Sequence, residues 1–191
     1  MMMLPMSRLE GWIDRVDHHQ FFLSADASGA FPMYPIDGSY LGRLVSVAQE
    51  ADAVCIETGI AMGTVRLALH LLDAPPTAID ASRPWEVVEE VTFEATDPVG
   101  RLLFLLDSTA APFDQFDLPA GAGRYRVRAH AVGRALDFDT VMWNPDDPER
   151  PDDCGPPREQ HLLQVWPTHE SAVTTRLRAD DPWAHQGDAR H

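Results

Sequence analysis

The residues with the clearest capacity for chemistry are carboxylates concentrated in one proline-rich segment, residues 135–159. The segment contains eight acidic residues against two arginines, Arg150 and Arg158. Prolines favour an extended backbone, which would hold the carboxylates at intervals comparable with those of phosphates along a nucleic-acid strand. We therefore predict an acidic loop that occupies the cationic groove of a protein partner. A solvated surface loop is the alternative interpretation, and the residue pattern of a calcium-binding EF-hand loop is absent.

An aromatic side chain, Trp143, lies inside this acidic loop. A tryptophan among carboxylates has the composition of an interface anchor, and the alternative is that it packs the loop against the sheet. The candidate partner-binding residues are Asp137, Asp139, Trp143, Asp146, Asp147, Glu149, Asp152 and Asp153.

Histidines offer a second kind of site. Metal centres on β-structures commonly use His-x-His spacing, because alternate strand residues point to the same side. His18 and His19 are adjacent and no His-x-His occurs, so no metal ligands or cofactors are predicted. His130 and His161 could still converge from neighbouring strands. The alternative hypothesis is therefore a small-ligand- or metal-binding β-sandwich enzyme whose cavity is lined by His18 or His19, His130 and His161.

Nucleophile motifs are missing from the sequence. The stretch from Gly38 to Gly42 has Tyr40 where a hydrolase elbow needs serine. All fifteen basic residues are arginine, which excludes Schiff-base lysines and the lysine of phosphate-binding loops. Cys55 lies in an apolar run and is interpreted as a small buried side chain. These absences favour a protein that is not an enzyme. A glycosidase pair of carboxylates stays open as an alternative, because thirty acidic residues offer many pairs.

The formal net charge is −15. A surface of this sign is repelled by nucleic-acid phosphates and anionic lipids, so direct binding to either is not expected. A basic protein is the complementary partner.

Alternation of apolar and polar residues with a period of two dominates the chain and predicts strands. The predicted strands are Asp17–Ser24, Ala53–Glu57, Thr64–Leu72, Glu90–Ala95, Arg101–Asp107, Gln115–Leu118, Arg124–Ala131 and His161–Trp166. One helix is predicted over Tyr40–Ala51, from a stripe of apolar residues at helical spacing. The pattern predicts a mainly β fold, an antiparallel β-sandwich or jelly roll with at most one or two short helices.

Three arginines alternate on one predicted strand, at Arg124, Arg126 and Arg128. Their polar face matches that of the strand containing Glu90 and Glu94, so we predict cross-strand ion pairs rather than an anion-binding site. As exposed pairs they would contribute about 0.2–1 kcal/mol each.

A length of 191 residues is predicted to form a single β-rich domain over 1–191, with the acidic loop at 135–159 and a C-terminal tail at 168–191 that lacks clear periodicity. The two cysteines are 99 positions apart, and no signal-peptide or membrane-spanning run of apolar residues is evident. The prediction is a cytoplasmic protein.

Three short motifs resemble competence protein J and related bacterial proteins. They are His19-Gln-Phe21, the run Phe116-Asp-Leu-Pro119 that leads through a glycine-rich turn into Tyr125-Arg-Val127, and Leu163-Gln-Val-Trp-Pro167. Competence protein J is an inhibitor of a DNA-entry nuclease. The resemblance implies a small cytoplasmic protein that holds a nuclease or toxin inactive, as an immunity protein does. It assigns no inhibitory residues.

Charge, motifs and resemblance together predict a non-enzymatic protein that inhibits or sequesters a basic protein partner through an acidic surface, the partner being a nuclease or toxin.

Overall fold

The computed structural model describes residues 7–25, 42–47, 53–97, 101–105, 116–151, 154–171 and 174–180. Within these ranges the protein is mainly β, as predicted, and contains no helix. None of the described segments is a helix that could cross a membrane. The strands are β1 Ser7–Asp17, β2 Gln20–Ser24, β3 Val45–Val47, β4 Ala53–Glu57, β5 Met62–Leu71, β6 Val87–Ala95, β7 Arg101–Leu105, β8 Phe116–Asp117, β9 Gly123–Val132, β10 Val141–Met142, β11 Gln160–Pro167 and β12 Thr175–Ala179.

The strands form one curled, half-barrel sheet in the order β12-β6-β9-β11-β5-β1-β2-β4-β3. Most neighbours are antiparallel, but β11 and β10 both run parallel to β5. The sheet is therefore mixed, and the predicted antiparallel sandwich or jelly roll is corrected to a curled mixed sheet. The order of the strands differs from their order in the chain. β5 and β6 are consecutive in the chain but are separated in the sheet by two later strands, β9 and β11. β11 is therefore the neighbour of β5, and the two strands run parallel.

The helix predicted over Tyr40–Ala51 is wrong in its described part, where Val45–Val47 forms β3 antiparallel to β4. β-branched residues favour strands, and the backbone N–H groups of Leu44 and Val45 are held by the buried carboxylate of Glu89 at 2.8 and 3.2 Å. The predicted tail contains a further strand, β12, which pairs with β6. β1 was not predicted, although it contributes a long pairing with β5.

The concave face of the sheet encloses the main hydrophobic core. The alternation predicted for β5 holds, since Val65, Leu67, Leu69 and Leu71 are buried in this core. Trp85, Val88 and Leu162 form a smaller cluster on the other side of the sheet, with Ile79 packed against it. The segment between β5 and β6, residues 72–86, supplies Ile79 and Trp85 and so covers this part of the outer face.

The predicted pairing of Arg124, Arg126 and Arg128 of β9 with the polar face of β6 is confirmed. We call these three residues the arginine ladder. Glu90 is opposite Arg128, Thr92 is opposite Arg126 and Glu94 is opposite Arg124 in the β6–β9 register. The carboxylate of Glu90 accepts hydrogen bonds from Arg126 Nε at 2.7 Å and Arg128 Nε at 2.6 Å. These two pairs are buried rather than exposed. Arg128 is covered by the 72–86 segment, in which the carbonyl of Ala78 accepts from Arg128 at 2.8 Å. Arg126 is covered by β12, where the hydroxyl of Thr175 accepts from Arg126 at 2.9 Å.

Candidate protein interface

A two-residue turn joins β1 to β2 at one end of the sheet. Its residues, His18 and His19, both have positive φ angles of 50° and 65°, the conformation of a type I′ hairpin turn. Histidine enters this region more readily than most non-glycine residues. The backbone of His19 donates to Ala61 O at 3.0 Å and accepts from Thr58 N at 2.7 Å. The turn is thereby fixed to the loop of residues 58–61.

The 58–61 loop is bound by a buried carboxylate, that of Glu159. Glu159 is 1% exposed and accepts hydrogen bonds from Gly59 N at 3.0 Å and Ile60 N at 3.1 Å. The same carboxylate lies 2.8 Å from His161 Nε2. Gly59 has no room for a side chain, because a Cβ atom there would lie 1.8 Å from the carbonyl oxygen of Arg134. Glu159 therefore holds together the 58–61 loop and the start of β11.

The segment that follows β9 is folded back against these loops. The carboxylate of Asp137 accepts from Arg158 Nε at 3.0 Å, and Arg158 also donates to Leu136 O at 2.6 Å. Asp139 has a positive φ of 58° and donates its N–H to Gly59 O at 2.9 Å. These contacts fix the direction of the residue between the two aspartates, Phe138. Its ring stacks on the His19 ring with centroids 5.4 Å apart.

Large apolar side chains are exposed in this region. Phe138 is 41% exposed, and Met62 and Val141 are 49% and 56% exposed. Met62 lies between Val141 of β10 and Asp17 of β1 in the sheet register. We call Met62, Leu136, Phe138 and Val141 the apolar patch. These are four of the five large apolar side chains that are exposed among the described residues. Met62 and Val141 are neighbours in the sheet register, and Phe138 and Leu136 precede Val141 by three and five residues.

Two carboxylates lie beside the apolar patch, since Asp139 follows Phe138 in the chain and Asp17 is opposite Met62 in the sheet register. Asp139 is 72% exposed and lies 3.3 Å from His19 Nε2, while Asp17 is 43% exposed. Asp146 and Glu149 are exposed and Asp147 is partly buried. These last three follow Val141 of β10 by five to eight residues along the chain.

The structure corrects two parts of the predicted acidic loop. Residues 144–150 do not form an extended strand but consecutive turns, in which Asp147 N donates to Asn144 O at 3.0 Å and Arg150 N donates to Asp147 O at 3.2 Å. Asp137 is only 9% exposed and is paired with Arg158, so its carboxylate cannot contact a partner. Trp143 is partly buried. Asp152 and Asp153 lie outside the described residues.

The histidines of the alternative hypothesis do not converge. His130 lies opposite Leu162 in the β9–β11 register and packs against Trp85 on the outer face. His161, one position away on β11, points to the opposite side and contacts Phe21 edge to face. His18 is exposed and His19 stacks on Phe138. Across the described part of the chain, no three His, Cys, Asp or Glu side chains are grouped to hold a metal ion.

Sequence reasoning did not identify the apolar patch. Phe138 was visible as an aromatic residue between two aspartates, which is an uncommon setting for a core residue. No sequence feature marked Met62 and Val141 as interface residues. Alternation cannot show that the first residues of β5 pair with a second, very short strand, β10.

Two titratable groups, buried His130 and partly buried Glu57, act on stability in opposite directions. Burial lowers the pKa of His130 to about 4, against the effect of its hydrogen bond to Leu162 O. Burial raises the pKa of Glu57 to about 7, although nearby Arg134 opposes the shift. The stabilisation from neutral His130 is therefore complete above about pH 6.5 and lost as the pH falls towards about 4. The stabilisation from protonated Glu57 is complete below about pH 4.5 and lost as the pH rises through about 7.

In the unmodified protein, the pH dependence contributed by His130 and that contributed by Glu57 should cancel between about pH 4.5 and pH 6.5. His130→Gln removes the increase in stability with pH that His130 contributes. The free energy of unfolding of this variant should therefore fall with rising pH relative to that of the unmodified protein. Glu57→Gln should produce the opposite trend. Each relative slope should approach about 1.4 kcal/mol per pH unit. Urea denaturation at about pH 4.5, 5.5 and 6.5 measures this, and parallel pH profiles for the three proteins would contradict it.

Comparisons with known proteins leave the family open. No protein-family model matches the chain, and no curated protein matches it. Among solved structures, a chain described as "Crocagin biosynthetic gene J" is 17% identical, and the match covers 86% of this chain and 100% of that chain with a TM-score of 0.44. A likeness this distant carries no information on function.

Proposed function

We propose that the chain is a non-enzymatic cytoplasmic protein that inhibits or sequesters a basic protein partner, and that it binds through the apolar patch and the carboxylates around it. The resemblance to competence protein J suggests a nuclease or toxin as the partner. The observation that carries the proposal is the grouping of Met62, Leu136, Phe138 and Val141, exposed together beside acidic groups.

The apolar patch supplies the affinity. Contiguous exposed apolar surface with a polar rim is typical of protein interaction sites. Interface energy concentrates in a few central side chains of which aromatic residues are the most effective. Phe138 is the aromatic member of the patch, and its ring already packs on His19. It would therefore lose little conformational freedom when a partner covers it.

The carboxylates supply the preference for a basic partner. Asp139 is mostly exposed, and the protein has a net charge of −15. Such a field accelerates the approach of a cationic protein and opposes that of an acidic one. A nuclease has to be cationic where it binds DNA phosphates, so this surface is complementary to the groove that an inhibitor would block.

Photo-cross-linking at the patch tests the proposal. A benzophenone amino acid in place of Phe138 should cross-link, in a lysate of the native host, a protein with positive net charge, because the probe lies at the centre of the interface. Leu177 is the matched control position, since it is 39% exposed against 41% for Phe138 but lies on β12. Equal capture from both positions, or capture of acidic proteins alone, would contradict the proposal.

Point variants measure how much the apolar patch contributes to the affinity for the captured protein. Phe138→Ser should weaken binding of the captured protein at least about tenfold, the effect of losing a central interface residue. The variant should unfold within about 0.5 kcal/mol of the unmodified protein, since the side chain is exposed. Leu177→Ser should leave the affinity unchanged. Comparable losses from both variants would show that the patch is not the interface.

A further inference from the structure

A second feature of the sheet lies on its outer face, where β1, β5 and β11 run side by side. Ala68 of β5 sits between Glu10 of β1 and Leu162 of β11 in the register. The small alanine leaves a hollow between its larger neighbours. The 72–86 segment closes one side of it with Ser82, Arg83 and Trp85, which produces a cleft of about 140 Å³.

The cleft is cationic in a strongly acidic protein. Three arginines line it, Arg8, Arg66 and Arg83, together with one carboxylate, Glu10. Arg8 Nε lies 3.1 Å from Glu10 Oε1, whereas Arg66 is 3.9 Å from the same carboxylate and 44% exposed. In the arginine ladder of β9, by contrast, Arg124, Arg126 and Arg128 all face carboxylates at 2.6–2.7 Å. A second carboxylate, that of Asp80, accepts from the cleft residues Ser82 and Trp85. The cleft therefore has three guanidinium groups against two nearby carboxylates.

Two residues that line the cleft each have a polar atom with no hydrogen-bond partner among the described residues. The atoms are Gln160 Oε1 and His70 Nε2, which are both buried at the atom level. A buried polar atom without a partner costs free energy. A hydroxyl or another donor bound in the cleft would satisfy Gln160 Oε1. The wall thus combines positive charge with a polar side chain, that of Gln160, whose capacity to accept a hydrogen bond is unused.

We propose that this cleft binds a small oxyanion, a phosphate or a carboxylate, that also carries a hydrogen-bond donor. The guanidinium groups of Arg66 and Arg83 contact the charged oxygens, Arg8 adds to the positive field, and Gln160 accepts from the donor. Planar guanidinium groups are well suited to both anions, because they form paired hydrogen bonds with them. The site is independent of the apolar patch, and its occupancy requires no protein partner.

His70 provides a direct signal of binding. Its ring lies beside Arg8 and near Glu10 and Asp80, and burial together with Arg8 lowers its pKa. An anion in the cleft stabilises the imidazolium form, so binding should raise the pKa of His70. Two probes distinguish the sources of the anion, inorganic phosphate and the hydroxy-dicarboxylate malate. The test is calorimetry with the full chain, combined with histidine-selective NMR titration. At least one probe should bind saturably at one site with a raised His70 pKa, while chloride should give neither effect.

Variants decide whether the signal comes from this cleft. Ala68→Leu fills the hollow and should abolish binding, and Arg66→Gln should weaken it about tenfold through loss of a charge-assisted hydrogen bond. Arg124→Gln is the matched control, because Arg124 is 41% exposed against 44% for Arg66 and lies on a different strand. It should bind as the unmodified protein does. Failure of both probes to shift His70 would overturn the proposal. So would binding that survives either cleft variant in a protein that unfolds cooperatively.

Discussion

Glu90→Gln is expected to lower the free energy of unfolding by about 3–5 kcal/mol, the loss that follows when one partner of a buried ion pair is removed. Glu90 has an 8% exposed surface and binds the guanidinium groups of both Arg126 and Arg128. The glutamine would remove the buried counter-charge of Arg128 and leave Arg126 with the exposed and more distant carboxylate of Glu170, at 3.8 Å. Equilibrium urea denaturation at neutral pH gives the difference directly.

Glu94→Gln is the internal control for this variant. Glu94 lies on the same strand and the same face and pairs with Arg124, but both side chains are more than 40% exposed. Removing an exposed pair should cost at most about 1 kcal/mol. Similar losses for Glu90→Gln and Glu94→Gln would mean that burial does not distinguish these pairs in solution.

Glu159→Gln is expected to cost about 3 kcal/mol or more, because hydrogen bonds to a buried charged group each contribute about 1.5–3 kcal/mol. A glutamine offers one acceptor oxygen where Gly59, Ile60 and His161 now share a carboxylate. Its amide group would meet a donor instead. The variant should also speed amide hydrogen exchange at Gly59 and Ile60, as the 58–61 loop opens more often.

The same variant connects the buried carboxylate to the interface. His19 and Asp139 are both hydrogen-bonded to the 58–61 loop, so a mobile loop should weaken binding to the patch as well. Glu94→Gln is the control, since the Glu94 side chain is 43% exposed on β6, pairs with Arg124 rather than with the 58–61 loop, and should change stability by at most about 1 kcal/mol. A fully stable Glu159→Gln protein with unchanged exchange at Gly59 would contradict this part of the account.

Local pattern was sufficient to predict individual strands and one set of contacts. Alternation placed β5, β6 and β9 within a few residues of their observed bounds, and matching polar faces predicted the pairing of Glu90 and Glu94 with the β9 arginines. Both results follow from the two-residue period of a strand, which shows which residues share a face. The period carries no information on which strands are neighbours, so the parallel pairing of β5 and β11 could not be predicted.

The acidic residues show the same limit at the level of the site. In the sequence, Asp137, Asp139 and Glu159 are equivalent carboxylates in one charged segment. In the structure, Asp137 binds Arg158 and Glu159 binds two backbone amides, which leaves Asp139 exposed. Only the tertiary contacts determine which carboxylates are paired inside the protein and which stay exposed. Those contacts join residues up to 100 positions apart.

The most direct test of the central claim is the salt dependence of the dissociation constant for the protein cross-linked at position 138. We expect the affinity of the unmodified chain to fall steeply as ionic strength rises, because exposed charges are screened. A variant with Asp139, Asp146, Asp147 and Glu149 changed to their amides should bind more slowly and with a much shallower dependence on salt. An affinity that is insensitive to salt, and is unchanged in the neutralised variant, would contradict the claim that carboxylates around the apolar patch select a basic partner.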